Sequence, residues 1–368
     1  MTYFIYIMLI SVNLLFGTKR FFSPLNIIGR NKSKILTIMS FIGCFLLIAG
    51  YRNLSGLSSD LINNEYEYVS VSMNNMSVYE PGYVLLMKVG SLLSLDFYSW
   101  RSLMVVIALL LIFISIFKWS SNPHFVLAFF CGYLVIVSAE QFRNFLGFAV
   151  FTYGLVLYLY SGHKHKKIAF TIFTVLAGMI HNMFYIYLFL LLIDNAFSRK
   201  AIKYIIFIVL AFCVIIFVNG NNIPGLNVLL NMLEGSRVTI YVSQNTRLGF
   251  AYPMLLHLTN TFLAYYAYKR SQTPSKHEGA YNTNLMMMIC FPLYMLQVSF
   301  SRIARNLLVV TYFTEGDYIL EGKPSAKKLG YVCLCLLGLA IWFYVNLFIL
   351  TNPEAVFKPF FENNFFIK

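Results

Sequence analysis

The sequence has little charge and no long hydrophilic stretch. Only 11% of its 368 residues are Asp, Glu, Lys or Arg, whereas 59% are hydrophobic and 18% are aromatic. A soluble domain carries roughly 25% charged residues, so this composition excludes a soluble globular protein. Apolar stretches long enough to span a bilayer recur along the chain, with no soluble segment longer than about fifty residues between them. The composition therefore predicts a single transmembrane domain over residues 1–368.

Several kinds of site are missing as well. The sequence contains no nucleotide-binding loop, no Ser-His-Asp order and no His or Cys cluster with the spacing of metal ligands. Its six cysteines lie in apolar runs, which predicts buried thiols rather than disulfides. We therefore expect no metal and no cofactor. The net charge of +14 does not indicate nucleic acid, because Lys and Arg collect in the cytoplasmic loops of membrane proteins.

The apolar runs predict an all-α, polytopic membrane helix bundle with about 11–13 transmembrane segments, short or re-entrant helices included. The basic loop after the first run places the N-terminus outside. Outer loops are expected near residues 51–97 and 219–249. The predicted segments are Met1–Gly17, Ile35–Gly50, Gly82–Leu95 (short, re-entrant or interfacial), Tyr98–Phe117, Phe125–Ser138, Asn144–Tyr160, Ile168–Ile193, Ile202–Val218, Phe250–Tyr268, Leu285–Phe300, Leu307–Leu320 and Leu329–Leu350.

The run from Ile168 to Ile193 has basic residues on both flanks. A single crossing would place one basic flank outside, against the positive-inside rule. The alternative is a hairpin of two short helices, Ile168–Ile180 and Met183–Ile193, which turns at His181 and Asn182. Short helices at membrane depth are tolerated where protein or a wet cavity surrounds them. We prefer the hairpin, because every later loop then obeys the charge rule.

Glu140 and Arg143 lie at the junction of two apolar runs. An arginine at the centre of a membrane helix costs about 2.5–3.5 kcal/mol on insertion scales, so the two residues form either a satisfied local pair or a functional site. Arginine also predominates on the predicted outer side. Anchoring at lipid headgroups explains some of these arginines, but their number favours a polyanionic ligand, because Arg binds phosphate in bidentate fashion. They are Arg52, Arg101, Arg143, Arg237, Arg247, Arg302 and Arg305.

Three further polar motifs allow more than one interpretation. Glu80 precedes Pro81 at the start of a short apolar helix, and this arrangement predicts helix capping. His181 lies within an apolar run and is either a hydrogen-bonded core residue or part of a site. Arg302 and Arg305 share one face of a helix start, as an interfacial anchor pair or as a clamp for a diphosphate.

These motifs resemble the EpsG-type branch of the Wzy-like polysaccharide polymerases, bacterial membrane enzymes of capsule, exopolysaccharide and O-antigen assembly. The matching features are Arg52, Asp60, Tyr66, Glu80-Pro-Gly-Tyr83, Gln141-Phe-Arg143-Asn144, His181-Asn182-Met183 and Arg302-Ile-Ala304. The chain departs from the family pattern in that Tyr312-Phe313 lies farther from Arg302 than usual, Asn144 stands where Gln is frequent, and Asn182-Met183 replaces a small pair.

The resemblance implies a metal-independent glycosyltransferase in the bacterial cytoplasmic membrane, with its active site facing the outside or periplasm. Its substrates would be a growing glycan on undecaprenyl diphosphate and an acceptor repeat unit on the same lipid. The bilayer surrounds it, and a chain-length regulator would be a further partner. Preorganised arginines would stabilise the diphosphate leaving group. We expect Arg143, Arg302, Arg305, Arg52 and Arg247 to bind the diphosphate, and Arg143, His181, Glu140 and Asp60 to be catalytic.

Two other functions remain open from the sequence. A flippase for lipid-linked oligosaccharides would carry similar arginines, but such transporters often contain inverted repeats, which this sequence lacks. The second alternative is another membrane glycosyltransferase or an acyltransferase. Asp60 in the first outer loop keeps the glycosyltransferase alternative open, because acidic residues are expected there in such enzymes.

Overall fold

The computed structural model describes residues 1–22, 30–52, 59–194, 196–221 and 248–367. The structure is 83% helical with no strands among these residues, which confirms the predicted all-α class. Within the described ranges, seven helices are long and apolar enough to cross a membrane. The chain divides into two compact units. The first comprises Met1–Leu188 and Tyr312–Lys368, and the second comprises Phe189–Thr311.

The helices follow one another along the chain with short connections. The first part contains α1 (Thr2–Phe22), α2 (Arg30–Gly50), α3 (Ser59–Ser72), α4 (Pro81–Leu92), α5 (Phe97–Trp119), α6 (Pro123–Glu140, with a π-helical turn at Phe130–Leu134), α7 (Phe142–Tyr160) and α8 (Lys166–Ile180). A 3₁₀ helix (Asn182–Asp194) then leads to α9 (Ala196–Val218), α10 (Ala251–Arg270), α11 (Pro274–Met287), α12 (Phe291–Leu296) and α13 (Arg302–Arg305). The last helices are α14 (Leu308–Leu320), α15 (Ala326–Tyr344) and α16 (Phe357–Glu362).

Helix α6 forms the core of the first unit. Of its residues 94% are buried, compared with 33% for α1. A helix that is apolar all round is expected in such a position. Gly17 lets α1 approach closely, since a Cβ there would lie 2.7 Å from the backbone of Phe125 in α6. The buried His124 is satisfied by Asn13 (Nδ1 to Oδ1, 2.9 Å) and Ser33 (Nε2 to Oγ, 2.8 Å), so one α6 side chain joins α1 and α2.

The apolar run after α7 breaks at His181, whose backbone is extended (φ −150°, ψ 112°). On α7, the ring of Phe151 lies 6.3 Å from that of Phe170 in α8 and 4.2 Å from that of Tyr187 in the 3₁₀ helix, between centroids. In one continuous helix Phe170 and Tyr187 would be about 25 Å apart. The run is therefore a hairpin, which confirms the preferred interpretation of the sequence.

The first unit has two ends at which distant segments meet. We call one of them the arginine end. There, Arg101 of α5 donates hydrogen bonds to backbone carbonyls in the last turns of α2 and α6. The C-terminal segment returns to this end, where Phe365 N donates to Gly50 O at 2.7 Å. At the opposite end, Asn122 Nδ2 donates to Gly17 O at 2.9 Å. Each contact joins segments predicted to share one side of the membrane, and the arginine end is the predicted outer side.

In the second unit, α10 and α11 pack against each other, and the buried His257 of α10 bonds Tyr294 Oη (2.9 Å) and Asn284 O (2.8 Å). The segment predicted from Leu285 to Phe300 is not one continuous helix. The chain there forms the end of α11, the short α12 and a 3₁₀ turn. Proline in the first turn of α12 removes an N–H, and Gln297 is extended (φ −157°, ψ 138°), so the helix cannot continue.

Candidate functional site

Arg101 is a fully buried arginine near the start of α5. Its Nη1 donates to Ala49 O (3.1 Å) and Tyr51 O (3.3 Å), and its Nη2 donates to Ile48 O (2.8 Å) and Ala139 O (2.9 Å). These carbonyls belong to the last turns of α2 and α6 or directly follow them. The negative end of the helix dipole favours a cation there. Arg101 therefore joins three helix ends and, at 0% exposure, has no surface on which a ligand could bind.

Glu140, the last residue of α6, is also buried, with 4% exposure. Its Oε2 accepts a hydrogen bond from the hydroxyl of Tyr51 at 2.5 Å. Burial and the Glu140 carboxyl group raise the pKa of Tyr51, so this hydroxyl keeps its proton and acts as the donor. We call Tyr51, Arg101 and Glu140 the closed cluster, because their side chains are shielded from solvent. A catalytic role for Glu140 stays a prediction, and its burial favours a structural role.

Arg143, in the first turn of α7, pairs with Glu80. Its Nη1 donates to Glu80 Oε2 at 2.6 Å, and its Cζ lies 4.3 Å from the ring centroid of Tyr79. The local Glu140–Arg143 pair considered from the sequence is therefore wrong. Such a pair requires a continuous helix, whereas Gln141 (φ −91°, ψ 60°) interrupts the helix between the two residues.

Glu80 occupies the N-cap position of α4, but its side chain does not cap that helix. The next residue is Pro81, which has no N–H to donate. Instead, Glu80 Oε1 accepts a hydrogen bond from Asn182 N, at the start of the 3₁₀ helix, at 3.1 Å. Gly82 permits this approach, because a Cβ there would lie 2.8 Å from the backbone oxygen of Met179. The capping interpretation of Glu80 is thus corrected: its carboxylate links α7 to the turn of the hairpin.

The guanidinium of Arg143 has one occupied edge and one open edge. Glu80 holds Nη1, whereas Nη2 and Nε donate no hydrogen bond to any residue that the structure describes. The side chain of Arg143 is 20% exposed and that of Glu80 is 9% exposed. We call Glu80, Arg143 and Asn182 the open cluster. An arginine with free N–H groups at a partly exposed position can donate parallel hydrogen bonds to a phosphate or carboxylate.

Arg52 lies at the arginine end with much of its hydrogen bonding in use. Its Nη1 donates to Ala49 O (2.8 Å) and Tyr51 O (3.0 Å), and its Cζ lies 3.8 Å from the ring centroid of Tyr98 and 5.1 Å from that of Phe365. Burial lowers the pKa of this half-buried arginine. These contacts secure the end of α2 against α5 and the C-terminal segment. They favour a structural role, and diphosphate binding by Arg52 stays a prediction.

Two further candidates lie near the clusters. His181 is half-buried and directly precedes Asn182, so the hairpin turn places it beside the open cluster. Asp60 is half-buried in the first turn of α3 and lies within electrostatic range of Glu140 in the closed cluster. The structure thus brings Arg143 and Asn182, the neighbour of His181, to the same carboxylate, that of Glu80, whereas Asp60 lies near the closed cluster.

The remaining candidates lie elsewhere. Arg302 and Arg305 belong to the second unit, where Arg302 is half-buried and Arg305 is buried. Arg247 lies outside the described residues, as does Arg237. Among the residues that the structure describes, no group of three His, Cys, Asp or Glu is placed to hold a metal ion.

A groove of about 650 Å³ runs along the exposed face of α3. Neither the open nor the closed cluster contributes to its lining, which is formed by Ile62, Glu65, Tyr66, Val69, Ser70, Met73 and Asn75. The arginine end therefore presents two separate features, a charged cluster at the hairpin turn and a groove with mixed polar and apolar walls.

Comparison with protein-family models gives a match over residues 35–360 to the model described as the EpsG family. The chain belongs to the EpsG family. No curated protein and no solved structure matches it. Both clusters lie within the matched range of this EpsG-family chain, and the resemblance inferred from its motifs is confirmed.

Proteins of the EpsG family are of the polysaccharide polymerase type and act on lipid-linked glycan units in the membrane. This EpsG-family chain is accordingly a multi-pass membrane protein of polysaccharide biosynthesis. The family implies glycosyltransferase-like chemistry.

The sequence predicts Arg143 as a site residue of this EpsG-family protein, but it did not predict the pairing of Arg143 with Glu80. Glu80 was interpreted as a cap because acidic residues favour helix starts. One local signal pointed elsewhere: Pro81 removes the first N–H of α4, so the carboxylate has one donor fewer in its own helix. Nothing in the sequence indicated that Asn182 would supply such a donor, because that contact depends on how the hairpin packs.

Proposed function

We propose that this EpsG-family protein joins glycan repeat units carried on undecaprenyl diphosphate, at the outer face of the bacterial cytoplasmic membrane. One observation carries the proposal. Glu80 holds Nη1 of the Arg143 guanidinium, and the Arg143 side chain as a whole is 20% exposed. It lies at the end of the first unit that the charge distribution predicts to face outside. A lipid diphosphate is an anion that such a guanidinium can bind.

In the proposed reaction, the hydroxyl at the non-reducing end of the acceptor attacks the anomeric carbon of the donor glycan. The new glycosidic bond forms as the bond from that carbon to the diphosphate oxygen breaks, and undecaprenyl diphosphate leaves with the electron pair. Arg143 stabilises the negative charge that develops on this leaving group. Arg302 and Arg305 are proposed from the sequence as further diphosphate ligands, and arginine supplies the positive charge without a metal.

The attacking hydroxyl also loses a proton. We assign its acceptance to His181, which lies half-buried at the hairpin turn beside the open cluster. Glu140 is less suited, because at 4% exposure it is bonded to Tyr51 inside the closed cluster. A chain-length regulator is proposed as a further partner, on the family resemblance.

The central test is the substitution Arg143→Lys in a host whose own copy of the gene is deleted. Lysine keeps the positive charge but lacks the planar guanidinium of arginine. It therefore cannot bind Glu80 through one edge of the group and a phosphate through the other. We expect wild-type amounts of membrane protein and loss of most polymer, measured as glycan length on gels. Single lipid-linked repeat units should accumulate at the outer face.

Arg270→Lys is the matched control, because Arg270 is exposed in the last turn of α10, at a predicted cytoplasmic loop. It should leave glycan length unchanged. Normal polymer in Arg143→Lys would remove Arg143 from the mechanism. Repeat units trapped at the inner face of the deletion strain would instead identify a flippase.

A further inference from the structure

Glu80 contacts two parts of the proposed site with one carboxylate. Its Oε2 accepts from Arg143 Nη1 at 2.6 Å, and its Oε1 accepts from Asn182 N at 3.1 Å. Because different oxygens make the two contacts, a single rotamer of Glu80 fixes both. We propose that Glu80 is a positioning residue, which orients Arg143 toward the lipid diphosphate and holds the His181–Asn182 turn beside it. The inference rests on the function proposed above.

The packing around Glu80 explains why one side chain can reach both partners. Gly82 brings α4 against the last turn of α8, at the backbone of Met179. Gly147 brings the hairpin against α7, because a Cβ at this position would lie 2.5 Å from the ring of Phe184. Glu80 therefore lies where α4, α7 and the hairpin meet, and any separation of these elements would break one of its contacts.

Orientation matters because an arginine side chain has many rotamers. Fixing such a long side chain in one rotamer costs conformational entropy. If Glu80 already holds the side chain in place, that cost is met before the substrate binds. Glu80 occupies Nη1 and leaves the Nη2 and Nε edge for the ligand. Its negative charge also opposes that of a diphosphate. Removing this charge should therefore disturb the orientation of Arg143 without weakening the electrostatic attraction for the anion.

The first test is Glu80→Gln, which keeps an oxygen for Asn182 N and removes the charge opposite Arg143. The assay is single-turnover glycan transfer by purified full-length protein with lipid-linked repeat units, normalised to folded protein. We expect transfer to slow by about tenfold or more, since misplaced electrostatic groups cost rates of this order. Affinity for undecaprenyl diphosphate should stay within about threefold of wild type or become tighter.

Glu80→Asp retains the charge on a shorter side chain and should recover part of the rate. It also carries the test if Glu80→Gln does not fold, because slower transfer with unchanged diphosphate affinity is expected for it as well. Glu67→Gln is the control, since Glu67 is a carboxylate of α3 bonded to Ser77 Oγ at 2.7 Å. Wild-type rates in both Glu80 variants would overturn the proposal, as would a loss of diphosphate affinity equal to the loss of rate.

A double-mutant cycle separates the two proposals. If Glu80 acts through Arg143, Glu80→Gln should slow transfer by less than about twofold in an Arg143→Lys background. Fully additive losses would show that Glu80 does not act through Arg143. An Arg143→Lys variant with normal transfer would instead refute the proposed function. An active-site role for Arg143 combined with normal rates in both Glu80→Gln and Glu80→Asp would refute only the positioning role.

Gly82→Ala tests the link to the hairpin. The added Cβ would meet the backbone of Met179 at 2.8 Å and displace α4 from α8. We expect amide hydrogen exchange at Asn182 to rise by about tenfold, together with slower transfer. Gly330→Ala is the matched control, because a Cβ on that helical glycine meets nothing within 4 Å. Unchanged exchange at Asn182 in Gly82→Ala would show that α4 does not hold the turn.

Discussion

The closed and open clusters lie at the same end of the first unit, and each contains one arginine and one glutamate. They differ in whether the arginine can also bind a ligand. Arg101 bonds four backbone carbonyls and is 0% exposed. Arg143 bonds one carboxylate, and its side chain is 20% exposed. A buried charge costs several kcal/mol unless it makes hydrogen bonds, and the closed cluster makes its hydrogen bonds to groups of the protein itself. The open cluster can be completed by a ligand.

This difference shows why the abundance of outer arginines is a weak guide to a binding site. Arg52 and Arg101 belong, with Arg143, to the arginines on the predicted outer side. Both donate to carbonyls at the end of α2, where a cation offsets the negative end of the helix dipole. Some of the outer arginines therefore stabilise helix ends. The hydrogen-bond partners of each arginine indicate whether it can bind a ligand.

Arg101→Ala should have the largest effect on stability. It removes the Arg101 donor to Ile48 O and Ala139 O, whereas Ala49 O and Tyr51 O still accept from Arg52 Nη1. Breaking such a buried charged arrangement costs about 3–5 kcal/mol. We expect little monodisperse protein on size-exclusion chromatography in detergent. Arg143→Ala should give near wild-type yields, because it removes one ion pair and one ring contact, and Glu80 keeps its hydrogen bond from Asn182 N. The reverse order of yields would contradict the assignment of the two clusters.

Tyr51→Phe should have an intermediate effect. The substitution removes the donor to Glu140 Oε2 and leaves a buried carboxyl oxygen unpaired, at a cost of about 1–3 kcal/mol. The thermal melting temperature in detergent should fall, while polymer made per folded molecule stays constant. A loss of polymer at an unchanged melting temperature would place Tyr51 in the reaction rather than in the closed cluster.

Glu140→Gln should have the smallest effect. The amide oxygen can still accept from the Tyr51 hydroxyl, and no buried charge remains, so stability should change by less than about 1 kcal/mol. Polymer length and amount should match wild type. Loss of polymer from a normally folded Glu140→Gln protein would show that Glu140 is catalytic. The closed cluster would then not be purely structural.

Part of the fold was predictable because local chemistry controls it. Basic flanks on both sides of one apolar run predicted the hairpin, and the break occurs at His181. The break within the predicted Leu285–Phe300 segment could not be predicted, since hydropathy reports apolar composition and not a change from α to 3₁₀ geometry. Gln297 adopts an extended conformation there, and nothing in the apolar composition around it signals that change.

The sequence by itself determined the all-α membrane class and the family, because composition, charge placement and short motifs are properties of the chain. Only the tertiary structure decided the partners. Arg143 pairs with Glu80 rather than Glu140, although Glu140 is three positions away, because Gln141 interrupts the helix and the packing of α4 brings Glu80 close. Sequence spacing reports contacts within one helix, whereas contacts between helices depend on how the helices pack.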